Sequence, residues 1–73
     1  MNACFIVPFL RQNSDEAKIE IIRLFPELQK ESFEVIRGFN LLRIYFARPV
    51  SLVEFIEKIS GAKYVDSTKA STG

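Results

Sequence analysis

The stretch Phe33-Glu34-Val35-Ile36-Arg37-Gly38-Phe39-Asn40-Leu41-Leu42-Arg43-Ile44-Tyr45-Phe46 decides the fold. It reads as two strands joined at Gly38–Asn40, the second rich in aromatic and branched residues. Side chains alternate across a strand with period two, so Leu42, Ile44 and Phe46 share one face. Leu41, Arg43, Tyr45 and Ala47 share the other. The first set is purely apolar and must face a core. The second mixes a cation and a phenol with smaller apolar groups, which suits a half-exposed sheet surface. On the preceding strand, Phe33 and Val35 are the expected inward pair, with Glu34 and Ile36 opposite. Gly38 takes positive φ without steric cost, and Asn40 tolerates it better than most residues. The connection is therefore a short hairpin.

Working outward, Ala3-Cys4-Phe5-Ile6-Val7-Pro8-Phe9-Leu10 is a continuous apolar run. A strand that is apolar on both sides is usually central in its sheet. Pro8 has no N–H, so regular pairing should fail at or before it. Asn13, followed three residues later by Glu16, resembles a capping box, with Ser14 the alternative cap. The first helix is expected over about 15 to 24 or 25. Ala17, Ile21, Leu24, Phe25 and Leu28 form its buried stripe, and Pro26 stops or kinks it. After the hairpin, Ser51 and Glu54 form a second capping box, flanked by Val50 and Phe55 at the spacing of a hydrophobic staple. Leu52, Phe55, Ile56 and Ile59 are the buried stripe of this second helix. Gly61 is the expected residue just past its end. Residues 62–66 (Ala-Lys-Tyr-Val-Asp) read as a short final strand at an edge, and 67–73, small and polar, as a mobile tail.

The order is β-α-β-β-α-β. Two helices with one apolar stripe each cover only one face of a four-stranded sheet. The expected class is thus α+β, a ferredoxin-like βαββαβ two-layer sandwich with a four-stranded antiparallel sheet. Residues 1–66 form a single domain and 67–73 the tail, and strands one and three lie at the centre. One sheet face is left uncovered, and it carries Arg43 and Tyr45.

Seventy-three residues with one cysteine leave no disulfide framework. Cys4, inside an apolar strand, is expected to be a buried structural thiol, and a lone thiol fits a reducing compartment. The run 3–10 is too short to span a membrane and lacks the basic flank of a signal peptide. The expected location is the cytoplasm, with no membrane partner. Histidine is absent, which removes the commonest general acid–base group and any Ser–His or Cys–His pair. One thiol and no imidazole exclude a structural zinc site. The three glycines stand alone at 38, 61 and 73, so no glycine-rich loop aims backbone N–H groups at a phosphate. The loop over 8–13 offers Arg11 but no glycine. No catalytic residue, metal or cofactor is assigned.

Net charge is +1, but its distribution is uneven. Residues 15–34 carry six acids against three bases; residues 35–53 carry Arg37, Arg43 and Arg48 and no acid. A basic sheet with acidic helices is the expectation that follows. Arg37-Gly38-Phe39-Asn40-Leu41-Leu42-Arg43-Ile44 resembles the RNP1 stretch of the RNA-recognition motif, with Asn40 and Leu41 where that pattern has a small and an aromatic residue. Cys4-Phe5-Ile6-Val7 is similar to the start of its partner strand, with Phe5 at the stacking position. The resemblance implies single-stranded or structured RNA held on the open face by Phe5, Phe39, Leu41, Arg43 and Tyr45. Arg11, Arg37 and Arg48 would then meet phosphates. The alternative from the same surface is a protein-interaction or regulatory subunit. It would pair with a protein partner, or with itself, through the open face or an edge strand.

Overall fold

The computed structural model describes residues 2–73. In chain order the elements are β1 (Ala3–Pro8), α1 (Ser14–Leu24), a 3₁₀ turn (Lys30–Ser32), β2 (Phe33–Ile36), β3 (Leu41–Phe46), α2 (Leu52–Ile59), a second 3₁₀ turn (Ser67–Lys69) and β4 (Ser71–Thr72). The fold is α+β: two helices and one open antiparallel sheet of four strands in the order β2-β3-β1-β4. β1 and β3 are the central pair. No helix among the described residues is long and apolar enough to cross a membrane.

Local chemistry explains most of the element ends. The Asn13 side chain accepts the Glu16 backbone N–H at 3.1 Å and starts α1. Phe25 leaves the helical region ahead of Pro26 and ends it. The Ser51 hydroxyl accepts the Glu54 N–H at 3.0 Å and starts α2. The carboxylate of Glu54 turns outward to Arg48, at 3.7 Å, rather than back to the Ser51 amide. The hairpin closes at the pair Ile36–Leu41, with Gly38 at φ 86° and Asn40 at φ 53° as the turn requires.

Pairing of Phe5 with Ile44 and of Phe33 with Ile44 aligns the covered face across three strands. Phe5, Val7, Phe33, Leu42, Ile44 and Phe46 are buried on it. The helices supply Ala17, Ile21, Phe55 and Ile59, and the α1 stripe continues into Phe25 and Leu28. Four phenylalanines form the centre. Phe55 stacks on Phe5 with ring centroids 4.6 Å apart, and Phe46 meets Phe25 edge-on at 5.0 Å.

Three expectations need correction. The last strand is Ser71–Thr72, not 62–66; Val65 makes only an isolated bridge to Phe9. The Glu20 carboxylate takes the Lys63 and Tyr64 backbone N–H groups at 2.8 and 2.7 Å, so those amides cannot join a ladder. The stretch 67–73, expected as a loose tail, instead holds the second 3₁₀ turn and β4, and the Gly73 N–H donates to the Cys4 carbonyl at 2.9 Å. Gly61 follows the α2 end as expected, but only Gly38 among the glycines has positive φ, so no left-handed cap forms.

Candidate functional site

The uncovered face follows from the same register. Cys4 opposes Tyr45, Ile6 opposes Arg43, and Pro8 opposes Leu41; on the other side of β3, Glu34 opposes Arg43 and Ile36 opposes Leu41. Leu41, Arg43 and Tyr45 therefore stand on the open face, as their alternation predicts. Phe5 does not. It is 2% exposed, on the covered face, and stacked on Phe55. In an all-apolar strand both parities look alike, and only the pairing with Ile44 decides between them. Cys4 is half-buried on the open face rather than sunk in the core.

The polar centre of this face is a cluster that sequence reasoning missed. The Arg43 guanidinium donates to Glu34 Oε1 at 2.8 Å, and the Tyr45 hydroxyl donates to the same oxygen at 3.2 Å. Glu34 was visible as an open-face residue of β2, but its partner depends on the β2–β3 register. The hydrogen bond from Arg43, and then that from Tyr45, holds the Glu34 carboxyl below its ordinary range. The same bond raises the Arg43 guanidinium. Each group favours the charged form of the other, so the pair persists as an ion pair at neutral pH.

The run 35–53 is free of acids in sequence but not in space. Arg48 pairs through its Nε with Glu27, 21 residues earlier, and approaches Glu54 at 3.7 Å. The bond to Glu27 raises its guanidinium. Two of the three arginines in that run are thus neutralised, and the basic sheet surface expected from the sequence is not formed. Arg48 also lies away from the sheet centre, against a shallow cleft of about 420 Å³ shared with Asn2, Leu28 and Tyr45.

The remaining site residues collect at one end of the molecule. Phe39, at the hairpin tip, is 72% exposed, the most exposed large apolar side chain among the described residues. Arg37 sits beside it with no ion pair among the described residues. The Phe9 N–H donates to the Asn40 carbonyl at 2.9 Å, which sets the loop after β1 against this tip. In that loop Arg11 and Gln12 both adopt positive φ, 58° and 50°, a conformation costly for residues with a Cβ. The Arg11 guanidinium lies over the Tyr64 ring, 5.6 Å from its centroid. The eight residues singled out from the sequence therefore split into four places: Leu41, Arg43 and Tyr45 on the open face, Arg11, Arg37 and Phe39 at the tip, Arg48 at the opposite rim, and Phe5 in the core.

Among the described residues no three His, Cys, Asp or Glu side chains come together in a way that could hold a metal ion. Compared with protein-family models, with curated proteins and with solved structures, the chain finds no match.

Proposed function

We propose that this chain is a protein-interaction domain that engages its partner through the open sheet face. The observation that carries this reading is the Glu34–Arg43–Tyr45 cluster. A surface meant for phosphates keeps its guanidinium groups free. Here Arg43, the cation at the centre of the face among the described residues, is already matched, and half-buried Cys4, Ile6, Pro8, Ile36 and Leu41 surround it. A near-neutral patch of apolar groups with a satisfied polar centre and a half-exposed tyrosine has the make-up of a protein interface. We take the sandwich as ferredoxin-like. The strand order supports it, with α1 carrying the chain from β1 past β3 to β2, and α2 from β3 past β1 to β4.

The test compares wild type with Leu41→Asp, each immobilised, for a partner retained from extract of the native cell after ribonuclease treatment. A protein held by wild type and lost with Leu41→Asp supports the reading. Retention that ribonuclease abolishes, or that Leu41→Asp leaves unchanged, overturns it.

A second reading, single-stranded RNA, is favoured by one observation: Arg37, next to exposed Phe39, and Arg11, in the loop that Phe9 ties to Asn40, have no acidic partner among the described residues. It moves the RNA contact from the sheet to the tip. Two phosphate contacts on a single strand give a slope of log affinity against log salt of about −1.4. A titration of labelled RNA at two salt concentrations reads that slope directly, and Arg37→Ala should halve it.

A further inference from the structure

β2 is the longer of the two edge strands of the sheet, with the two-residue β4 at the other edge. No strand among the described residues pairs with its outer side. In an antiparallel ladder alternate residues turn both backbone groups to one neighbour, so two of the four residues Phe33–Ile36 face away from β3; the Phe33 N–H is already bonded to the Lys30 carbonyl and is not open to a partner. Natural edges are blunted by proline, bulges or lysine on the strand. This one has none of these, only its shortness and Glu34.

A cleft of about 300 Å³ is lined by Asp15, Lys18, Ile19 and Ile22 of α1 and by Lys30, three residues ahead of β2 in the chain. The four α1 positions have the spacing i, i+3, i+4, i+7 and form a stripe separate from the buried one over Ala17 and Ile21. The stripe is about 10 Å long and the β2 edge about 13 Å, so the two match in length. Ile19 is 40% exposed, and Ile22 is half-buried at the margin of the core. Lys18 and Lys30 form no ion pair among the described residues, and the single Asp15 leaves the cleft with a net positive charge.

We propose that the β2 edge and this cleft together bind an extended acidic peptide segment of a partner protein as an added strand. The peptide backbone pairs with the outward groups of β2. Its acidic side chains, every second residue, enter the cleft, where their stems lie over Ile19 and Ile22 and their carboxylates meet Lys18 and Lys30. The residues between them turn to the open face beside Ile36. Strand addition of this kind draws affinity from the main chain and selectivity from alternate side chains. A second copy is a poorer occupant. Pairing two β2 edges with their covered faces aligned sets Glu34 against its own copy in one register and against apolar Ile36 in the next. The proposal shares with the reading above only that the chain is an interaction domain; the surface is different, so the two can fail separately.

The probe is a six-residue acetylated and amidated peptide that alternates valine with glutamate, titrated into the full chain and followed by backbone amide shifts. The expected shifts fall on 33–36 and on Lys18, Ile19 and Ile22. N-methylating alternate peptide nitrogens, or replacing glutamate by lysine, should weaken binding about tenfold, the size of one or two lost hydrogen bonds or ion pairs. The double variant Lys18→Glu/Lys30→Glu changes exposed or half-exposed positions and should reverse the preference toward the lysine peptide. No shift at about 1 mM peptide, a concentration that reports binding only a few kcal/mol strong, overturns the proposal. Shifts confined to Cys4, Ile6, Leu41 and Tyr45 overturn the edge site while favouring the open-face reading. Shifts at 33–36 that grow with protein concentration alone show that a second copy fills the edge, and overturn the peptide as occupant.

Discussion

Replacing Phe55 by alanine tests the centre of the structure. Phe55 is fully buried, lies parallel to Phe5 at 4.6 Å, and stands 5.9 and 6.1 Å from the rings of Phe25 and Phe46. It is the one aromatic ring that α2 contributes, so its loss loosens α2 from both β1 and the end of α1. Truncating a buried phenylalanine costs about 3–5 kcal/mol, cavity included. Aromatic pairs add about 0.5–1.5 kcal/mol beyond buried area, which places Phe55→Ala at the upper end of that range. At about 0.05–0.15 kcal/mol per residue, a chain of 73 residues has roughly 4–11 kcal/mol in all. The variant should therefore be partly unfolded at room temperature or lose well over 10 °C of Tm, given about 4–8 °C per kcal/mol for a domain of this size. Thermal and urea melts followed by circular dichroism measure this. Val53→Ala, at a 65% exposed position on the same helix, is the control and should stay within about 0.5 kcal/mol. A loss below about 1 kcal/mol for Phe55→Ala would refute the four-ring centre, because a ring enclosed by three others cannot be removed so cheaply.

Other outcomes follow from the caps, the faces and the surface cluster. Ser51→Ala should cost about 1 kcal/mol in the same melts, through loss of the bond to the Glu54 amide. Ile44→Asp places an unpaired charge in the core and should abolish the dispersed amide spectrum, whereas Arg43→Asp on the opposite face should leave it intact. Glu34 should titrate below the ordinary glutamate range in a carbon-detected pH series, and Arg43→Ala should bring it back toward that range. The sign for stability follows. A depressed folded-state pKa stabilises above the unfolded-state pKa, and that contribution is lost as pH falls through the folded value. The stability difference between wild type and Glu34→Gln should thus be present at neutral pH and vanish on acidification below the ordinary carboxylate range.

The parts of the fold that the sequence made legible are those set by local rules. Alternation placed Leu42, Ile44 and Phe46 inward. Side-chain caps fixed both helix starts at Asn13 and Ser51, and Gly38 with Asn40 closed the hairpin. What escaped depends on partners distant in the chain. Ser71 and Thr72 carry no apolar pattern, and they become a strand only because β1 offers them an edge. Residues 63–65 include the tyrosine and valine of a strand, yet Glu20, more than forty residues away, captures the Lys63 and Tyr64 amides first. Phe5 was ambiguous because both sides of its strand are apolar. The arginines looked free because Glu27 and Glu34 lie in other elements, and a long side chain reaches across elements as easily as along one. The site was therefore legible as a set of exposed candidates but not as an electrostatic arrangement.

The Glu20 carboxylate also has a consequence for how the chain assembles. Its two hydrogen bonds join the middle of the first helix to residues 63 and 64, and they span the whole hairpin and the second helix. Such a contact closes late, because the intervening loop must already be ordered before its ends can meet cheaply. The last dozen residues are also tied to β1 and the loop after it, through Tyr64, Asp66, Gly73 and the β4 pairing. A disturbance of α1 would therefore reach the far end of the chain as the loss of one anchor among several. Slow amide exchange at Lys63 and Tyr64, lost together with protection in α1 rather than with fraying of the terminus, would be the signature of that coupling.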